Sequence, residues 1–233
     1  MKSVILAGGR GTRLKPYTTA FPKPLMPVGD KPILEIMIRQ LKSQGLEDII
    51  VTVSHLGELI MNFFGDGGKF GVNIDYSIED QPLGTAGGLG LIKKDLKETF
   101  LMLNGDTLTT LNFTELINQH KTNDAIATIA LNKRQVYIDF GIVELDNSYN
   151  IKGYTEKPTL GYLVSMGIYV FEPRVLEYIK VGEKLDFPDL IKVLISHGEN
   201  VKGFIYDGYW LDIGRPEDYE KANREIDKMH DKL

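Results

Sequence analysis

The sequence predicts an α/β fold: a mixed, mainly parallel sheet with helices on both faces. Three observations carry this. Apolar strand-like runs alternate with helical segments up to about residue 110, and crossover connections of that kind cover both faces of a parallel sheet. Beyond that point strand-like segments follow in closer succession, which brings antiparallel pairing into the sheet. No repeat, low-complexity tract or long linker interrupts the 233 residues, so residues 1–233 read as one domain.

In order, "SVILA" is a short buried strand broken by Gly8, Gly9 and Gly11. "DKPILEIMIRQLKSQG" is the strongest helix: Asp30 is placed to cap it, Pro32 suits its first turn, and Gly45 suits its end. Ile33, Ile36, Met37 and Leu41 recur at helical spacing and mark its core face. "DIIVTV" reads as a strand, "GELIMNFFG" as a helix, and "VNIDYSI" alternates as a strand. "TAGGLGLIKK" reads as helical, and "TFLML" as a strand running into "NGDT". "DAIATIAL", "IDFGIVELD", "NIKGYTE" and "YLVSMGIYVFE" are the later strands. "DFPDLIKVLISHG" and the mostly polar "PEDYEKANREIDKMHDKL" are the later helices, the last packed on the outside.

Composition removes several classes of function. Lys and Arg total 27 against 32 Asp and Glu, a net charge of −5, which argues against a nucleic-acid binder. The absence of Cys excludes disulfides, thiolate zinc sites and a cysteine nucleophile. "VILA" is too short for a signal peptide, and no stretch approaches the ~20 apolar residues of a membrane span. A cytoplasmic protein without membrane or nucleic-acid partners is the expectation. His55, His120, His197 and His230 lack metal-ligand spacing.

Against this acidic background the N-terminus is a basic island. Between Met1 and Leu34 lie Lys2, Arg10, Arg13, Lys15, Lys23 and Lys31, with Asp30 as the one acid. The island begins at "AGGRGTR", where glycines permit positive φ and let amide N–H groups approach an anion. Neither familiar phosphate loop fits. The Walker pattern needs four residues between its glycines, and the dinucleotide pattern needs Gly where Leu14 stands. A guanidinium at Arg13 and an ammonium at Lys23 beside a glycine nest suit a polyphosphate.

The stretch "LAGGRGTRLKPYTTAFPKPLMPVGDKP" resembles the signature of the sugar-1-phosphate nucleotidyltransferases, the NDP-sugar pyrophosphorylases. "QPLGTAGGL" is similar to their base-binding segment, "NGDT" to their metal-binding turn and "FGIVELD" to a sugar-contacting strand. "EKP" resembles their sugar-phosphate clamp, and "YWLDIGRPEDY" their second metal segment. The resemblance spans nearly the whole chain and implies the Rossmann-like nucleotide-diphospho-sugar transferase fold. Residues 1–110 would then be the nucleotide-binding half and 111–233 the sugar-phosphate-binding half.

It also implies a reaction: NTP plus sugar 1-phosphate giving NDP-sugar and pyrophosphate. Positioning and charge neutralisation carry such a reaction without a covalent nucleophile. By resemblance, Arg13 and Lys23 are catalytic. Leu6, Gly8, Gly9, Gly11, Thr12, Gln81, Gly84 and Thr85 surround the nucleotide, with Gln81 and Gly84 reading the base. Gly105, Gly141, Glu156, Lys157 and Ser165 hold the sugar phosphate. Asp106 and Asp212 hold Mg²⁺.

For Asp106 there is an independent argument, since it follows a strand and ligands bind at the carboxyl edge of such sheets. For Asp212 there is only the resemblance. Ser165 stands where many relatives carry Asn, and its hydroxyl reaches less far. "PLGTAGGL" looks most like the guanylyl branch, implying GTP with a mannose- or heptose-type 1-phosphate. UTP, dTTP or CTP with a glucose-type 1-phosphate is the alternative, and a homodimer is a family-level expectation. From other classes, a silent nucleotide-sugar-binding subunit and a glycosyltransferase remain; the single Asp of "GDTLT" lacks the paired-Asp mark of the latter.

Overall fold

The computed structural model of the protein describes residues 1–9 and 11–226. Seven strands form its central sheet: β1 (Lys2–Leu6), β2 (Asp48–Val53), β3 (Asn73–Ile78), β4 (Phe100–Asn104), β5 (Ala127–Tyr137), β6 (Thr159–Phe171) and β7 (Val201–Tyr206). Their spatial order is β3-β2-β1-β4-β6-β5-β7. Only β6 runs against its neighbours, pairing antiparallel with β4 and β5, while the remaining pairs are parallel. The expected mainly parallel, mixed sheet is therefore present.

Among the described residues six α-helices accompany it: α1 (Ile33–Ser43), α2 (Gly57–Phe64), α3 (Gly84–Gly87), α4 (Phe113–Thr122), α5 (Phe187–Ser196) and α6 (Pro216–Glu225). Strand residues alternate between two cores with the period of a pleated strand. Ile5, Val51, Leu101 and Leu103 point to one side with Leu34, Met37 and Leu41 of α1, Phe64 of α2 and Phe113 of α4. Val4, Ile50, Phe100 and Met102 point to the other with Ala86 of α3 and Phe187, Leu190 and Leu194 of α5. A third core, around Leu14, Met26, Val28, Leu211, Ile213 and Ala222, joins α6 to the N-terminal loops.

Several local readings change. Asp30 does not cap α1; its carboxylate accepts from Lys31 Nζ, and Pro32 takes the N-cap position. Lys31–Pro32 pairs with Pro27–Val28 as a small ladder, so the chain is still extended where the cap was expected. Helix is continuous only over α3 in "TAGGLGLIKK", and Gly88–Ile92 tighten into a 3₁₀ turn. That fits a stretch carrying three glycines, which disfavour α-helix by about 1 kcal/mol each. The described part of the last helix is α6, with the remainder of the expected span outside the described residues.

Both α4 and β7 went unread in the sequence. The sign of α4 was "NFTE": Asn112 Oδ1 accepts from Glu115 N at 3.1 Å, an N-cap read directly from residue types. Among the described residues no helix is long and apolar enough to cross a membrane.

Candidate active site

The carboxyl ends of β1, β2, β3 and β4 share one edge of the sheet. Of the cavities that open there, two meet at Gly9. The larger, about 320 Å³, is lined by Leu6, Gly8, Gly9, Thr52, Ser54, Glu79, Pro82, Gly84 and Thr85. The smaller, about 200 Å³, is lined by Gly9, Gly11, Thr12, Arg13, Leu14, Lys23, Asp106 and Gly214.

The glycine turn is held open by its neighbours. Gly11 has φ +59° and lies so near Thr18 that an added Cβ would stand 2.8 Å from Cγ2. Thr18 Oγ1 donates to Gly11 O at 2.7 Å. Leu14, fully buried, ties the following 3₁₀ turn into the third core and leaves Arg13 on the cavity side. Lys23 opens another 3₁₀ turn and carries its buried side chain to Asp106, with which it forms an ion pair.

Asp106 and Asp212 are brought together by a ladder too short to be read as a strand pair from sequence. Thr107–Thr109 pairs antiparallel with Trp210–Asp212, setting Asp212 opposite Thr107, and Ile213 N donates to Asp106 O at 3.0 Å. Burial is the main cause that raises the Asp212 carboxyl above its ordinary value, with the Asp106 charge adding to it; Lys23 and Arg13 act in the opposite direction. The Gly214 backbone packs against both Arg13 and Asp212, for an added Cβ would stand 3.4 Å from Arg13 Nη1 and 3.5 Å from Asp212 Oδ2.

This arrangement fits a divalent cation. Asp106 Oδ1 is buried without a hydrogen-bond partner, and such an oxygen is costly unless a cation or donor meets it. Among the described residues no group of three or more His, Cys, Asp or Glu is arranged for a metal. Two carboxylates with the remaining ligands drawn from water and phosphate oxygens suit a hard cation such as Mg²⁺.

On the larger cavity, Gly84 and Thr85 are in the lining, whereas Gln81 is exposed beside the lining residue Pro82. The side chain that sequence reasoning passed over is Glu79. Burial raises its carboxyl above the usual carboxylate range, partly offset by the Leu83 N–H, which donates to Oε2 at 3.3 Å. Its signal was an acid directly ending the alternating run "VNIDYSI".

The sugar-side residues form a separate group. Ile142–Leu145 and Ile151–Thr155 make an antiparallel hairpin, with Gly141 just before it and Glu156 just after. Tyr154 Oη donates to Glu156 Oε2 at 2.9 Å, and a Cβ on Gly141 would fall 2.2 Å from that hydroxyl, so a larger residue there would displace the exposed Tyr154 side chain from this contact. Lys157 has φ +46° and sets Nζ 3.5 Å from Asp139 Oδ1. Ser165 lies on β6 at a break in the β5 pairing, where its Oγ is 3.0 Å from Tyr169 Oη and accepts from Gly167 N at 3.3 Å. Gly105 is buried against β1, where a Cβ would stand 2.5 Å from Leu6 O; its backbone closes the sheet edge under Asp106. His55, His120 and His197 stand outside both cavity linings, and His230 lies outside the described residues.

Comparison with known proteins agrees with this geometry. The chain is 37% identical over 245 residues to a UTP–glucose-1-phosphate uridylyltransferase of Synechocystis, covering 97% of this chain and 63% of that protein. It is 36% identical to a mannose-1-phosphate guanyltransferase of Yarrowia lipolytica, covering 94% and 62%. The chain thus spans a little under two thirds of these relatives' length. Among solved structures, HddC from Yersinia pseudotuberculosis complexed with GMP-PN superposes with a TM-score of 0.75 at 27% identity, covering 97% of this chain and 99% of that one. The Nucleotidyl transferase family profile matches residues 2–229. With the glycine turn, Arg13, Lys23 and the two aspartates gathered on one sheet edge, the chain belongs to the nucleotidyl transferase family.

Proposed function

We propose that this chain transfers a nucleotidyl group from an NTP to a sugar 1-phosphate, releasing pyrophosphate. A phosphate oxygen of the sugar 1-phosphate bonds to the α-phosphorus as the bond from that phosphorus to the bridging oxygen breaks. The electron pair leaves with pyrophosphate. The single observation that carries this reading is the convergence of Arg13, Lys23, Asp106 and Asp212 around one cavity that adjoins a second at Gly9.

Each group has a task set by charge. The larger cavity takes base and ribose, and the glycine turn lays its backbone along the triphosphate. Arg13 faces the departing pyrophosphate, where negative charge grows as the bond breaks. Lys23, which pairs with Asp106, orients the α-phosphate as the anions meet. Asp106 and Asp212 would hold Mg²⁺, which supplies charge neutralisation at the phosphate oxygens. Gly141, Glu156 and Lys157 serve the sugar phosphate, with Ser165 beside them on β6.

The base we favour is guanine, with a mannose- or heptose-type sugar. A carboxylate only accepts hydrogen bonds, and guanine offers two adjacent donors on its Watson–Crick edge, which Glu79 in the larger cavity could take together. Uracil and thymine offer one donor between two carbonyls that a carboxylate repels. The alternative of UTP with a glucose-type 1-phosphate has the name of the Synechocystis relative in its favour.

The test is a grid of GTP, UTP, dTTP and CTP against mannose, heptose and glucose 1-phosphates, read by pyrophosphate release. Release with GTP and a mannose- or heptose-type 1-phosphate is expected. Release with no pair would overturn the reading in favour of a silent binding subunit.

A further inference from the structure

The segment Leu83–Gly87, which carries the cavity residues Gly84 and Thr85, is fastened to a distant part of the chain. Leu185 N donates to Leu83 O at 2.9 Å, and Leu185 O accepts from Ala86 N at 2.9 Å and Gly87 N at 3.0 Å. Gly84 has φ +76° and presses so closely on this strut that a Cβ would stand 2.5 Å from Leu185 O.

At the centre of the contact is an unusual exchange of caps. Asp186 occupies the N-cap position of α5, where an aspartate ordinarily accepts from an N–H of its own helix. Here its side chain caps nothing within α5. Its Oδ1 accepts instead from Thr85 N at 2.9 Å and Thr85 Oγ1 at 3.3 Å. In return, Thr85 Oγ1 accepts from Phe187 N at 2.8 Å, satisfying one of the N–H groups at the helix start. Asp186 holds the loop and Thr85 caps the helix. Thr85, expected to touch nucleotide, has its hydroxyl committed on both its donor and acceptor sides.

We propose that Asp186 is a positioning residue for the nucleotide cavity, acting through Thr85. The proposal rests on the nucleotidyl-transfer reading above. The Asp186 carboxylate fixes where the backbone of Gly84 and Thr85 stands, and so fixes the wall against which the nucleotide packs. A merely structural anchor would lower stability and leave the two substrates equally affected. A positioning residue separates them, because only the NTP meets this wall.

The experiment compares the parent with Asp186→Ala, Asp186→Asn, Thr85→Val and Thr85→Ser. Steady-state pyrophosphate release gives KM for each substrate, and calorimetric titration with GTP and UTP gives affinity without turnover. Asp186→Ala should raise the KM for NTP, and weaken nucleotide binding, by about tenfold, the scale of one lost charge-assisted hydrogen bond. The KM for sugar 1-phosphate should stay within about twofold. Asp186→Asn keeps an acceptor oxygen and should return the NTP values to within about twofold of the parent.

Should Asp186→Ala fail to fold, Thr85→Val against Thr85→Ser reads the same clamp from its other side, with Val weakened and Ser spared. Unchanged nucleotide affinity in the Ala and Val variants, or an equal rise in both KM values, would overturn the proposal. So would failure of Asn to restore binding. A parent that binds nucleotide but releases no pyrophosphate overturns the catalytic reading alone, whereas a parent that binds none of GTP, UTP, dTTP and CTP overturns both.

Discussion

Lys23 and Asp106, 83 positions apart in sequence, form an ion pair at the sheet edge that occupies Asp106 Oδ2 and leaves Oδ1 buried and unpartnered. The lysine side chain is only 11% exposed. A buried ion pair of this kind contributes little net stability, because desolvating two charges offsets their attraction. Its consequence is local: under the proposed reaction, the Lys23 ammonium meets an incoming phosphate and Asp106 Oδ1 meets a divalent cation. Asp212 stands on the adjoining strand with its own ionisation opposed by burial and by Asp106.

Arg13 is exposed to the smaller cavity rather than packed in a core. Arg13→Ala should therefore leave the melting temperature within about 2 °C of the parent. It should lower kcat/KM by about 10²–10³, the usual loss for one donor aimed at developing charge. Thermal melting and pyrophosphate-release kinetics check the two halves separately, and near-parental turnover would remove Arg13 from the transition state.

Asp212→Asn removes one of two facing carboxylates. In the absence of divalent ions and substrate the variant should melt above the parent at pH 7, by about 2 °C for each ~1 kcal/mol of repulsion relieved. Its metal-dependent activity should fall with it, the usual opposition of stability and function at a charged site. Calorimetric scans with and without Mg²⁺ check this; a variant less stable than the parent in both conditions would contradict the repulsion.

Glu79→Gln exchanges an acceptor oxygen for a donor. The GTP-to-UTP ratio of kcat/KM should fall by about 10- to 100-fold, as expected for the loss of one base-edge contact worth ~1–3 kcal/mol. Parallel kinetics with both nucleotides measure it. An unchanged ratio would take Glu79 out of base recognition.

His120 provides a pH signature unrelated to the cavities. Its side chain is fully buried, with Nδ1 2.8 Å from Thr128 Oγ1 and Nε2 3.1 Å from Glu172 Oε1. Burial lowers its pKa below 6.5, against the raising influence of Glu172. The unfolded chain consequently binds more protons than the folded one from about pH 6.5 down to the lowered value, so stability falls as pH falls through that window. His120→Gln should flatten the melting temperature over that range. Equal pH slopes in parent and variant would show that His120 does not titrate differently on folding.

What the residues disclosed beforehand follows from the range of the forces involved. Periodic burial is local, so α1, β1 and β2 were legible. Asp106 was placed at the sheet edge because it directly follows an apolar strand. Asp212 was not placed by its own surroundings, since a three-residue ladder with Thr107–Thr109 carries no periodic signal. Glu79 was hidden by the Gln81-Pro82 pair two residues on, and Asp186 by its place at the start of a helix, which carries no sign of the distant Thr85. Asn112 shows the reverse case: its cap was written in the residue types, and α4 could have been read from it.

The most direct measurement is pyrophosphate release by the parent and by Asp106→Asn across a Mg²⁺ titration, with saturating NTP and sugar 1-phosphate. The account predicts release by the parent that rises with Mg²⁺ from a negligible value. In Asp106→Asn it predicts a half-saturating Mg²⁺ concentration raised at least about tenfold, with lower turnover at every concentration. Superimposable titration curves, or parental release undiminished by a chelator, would contradict it.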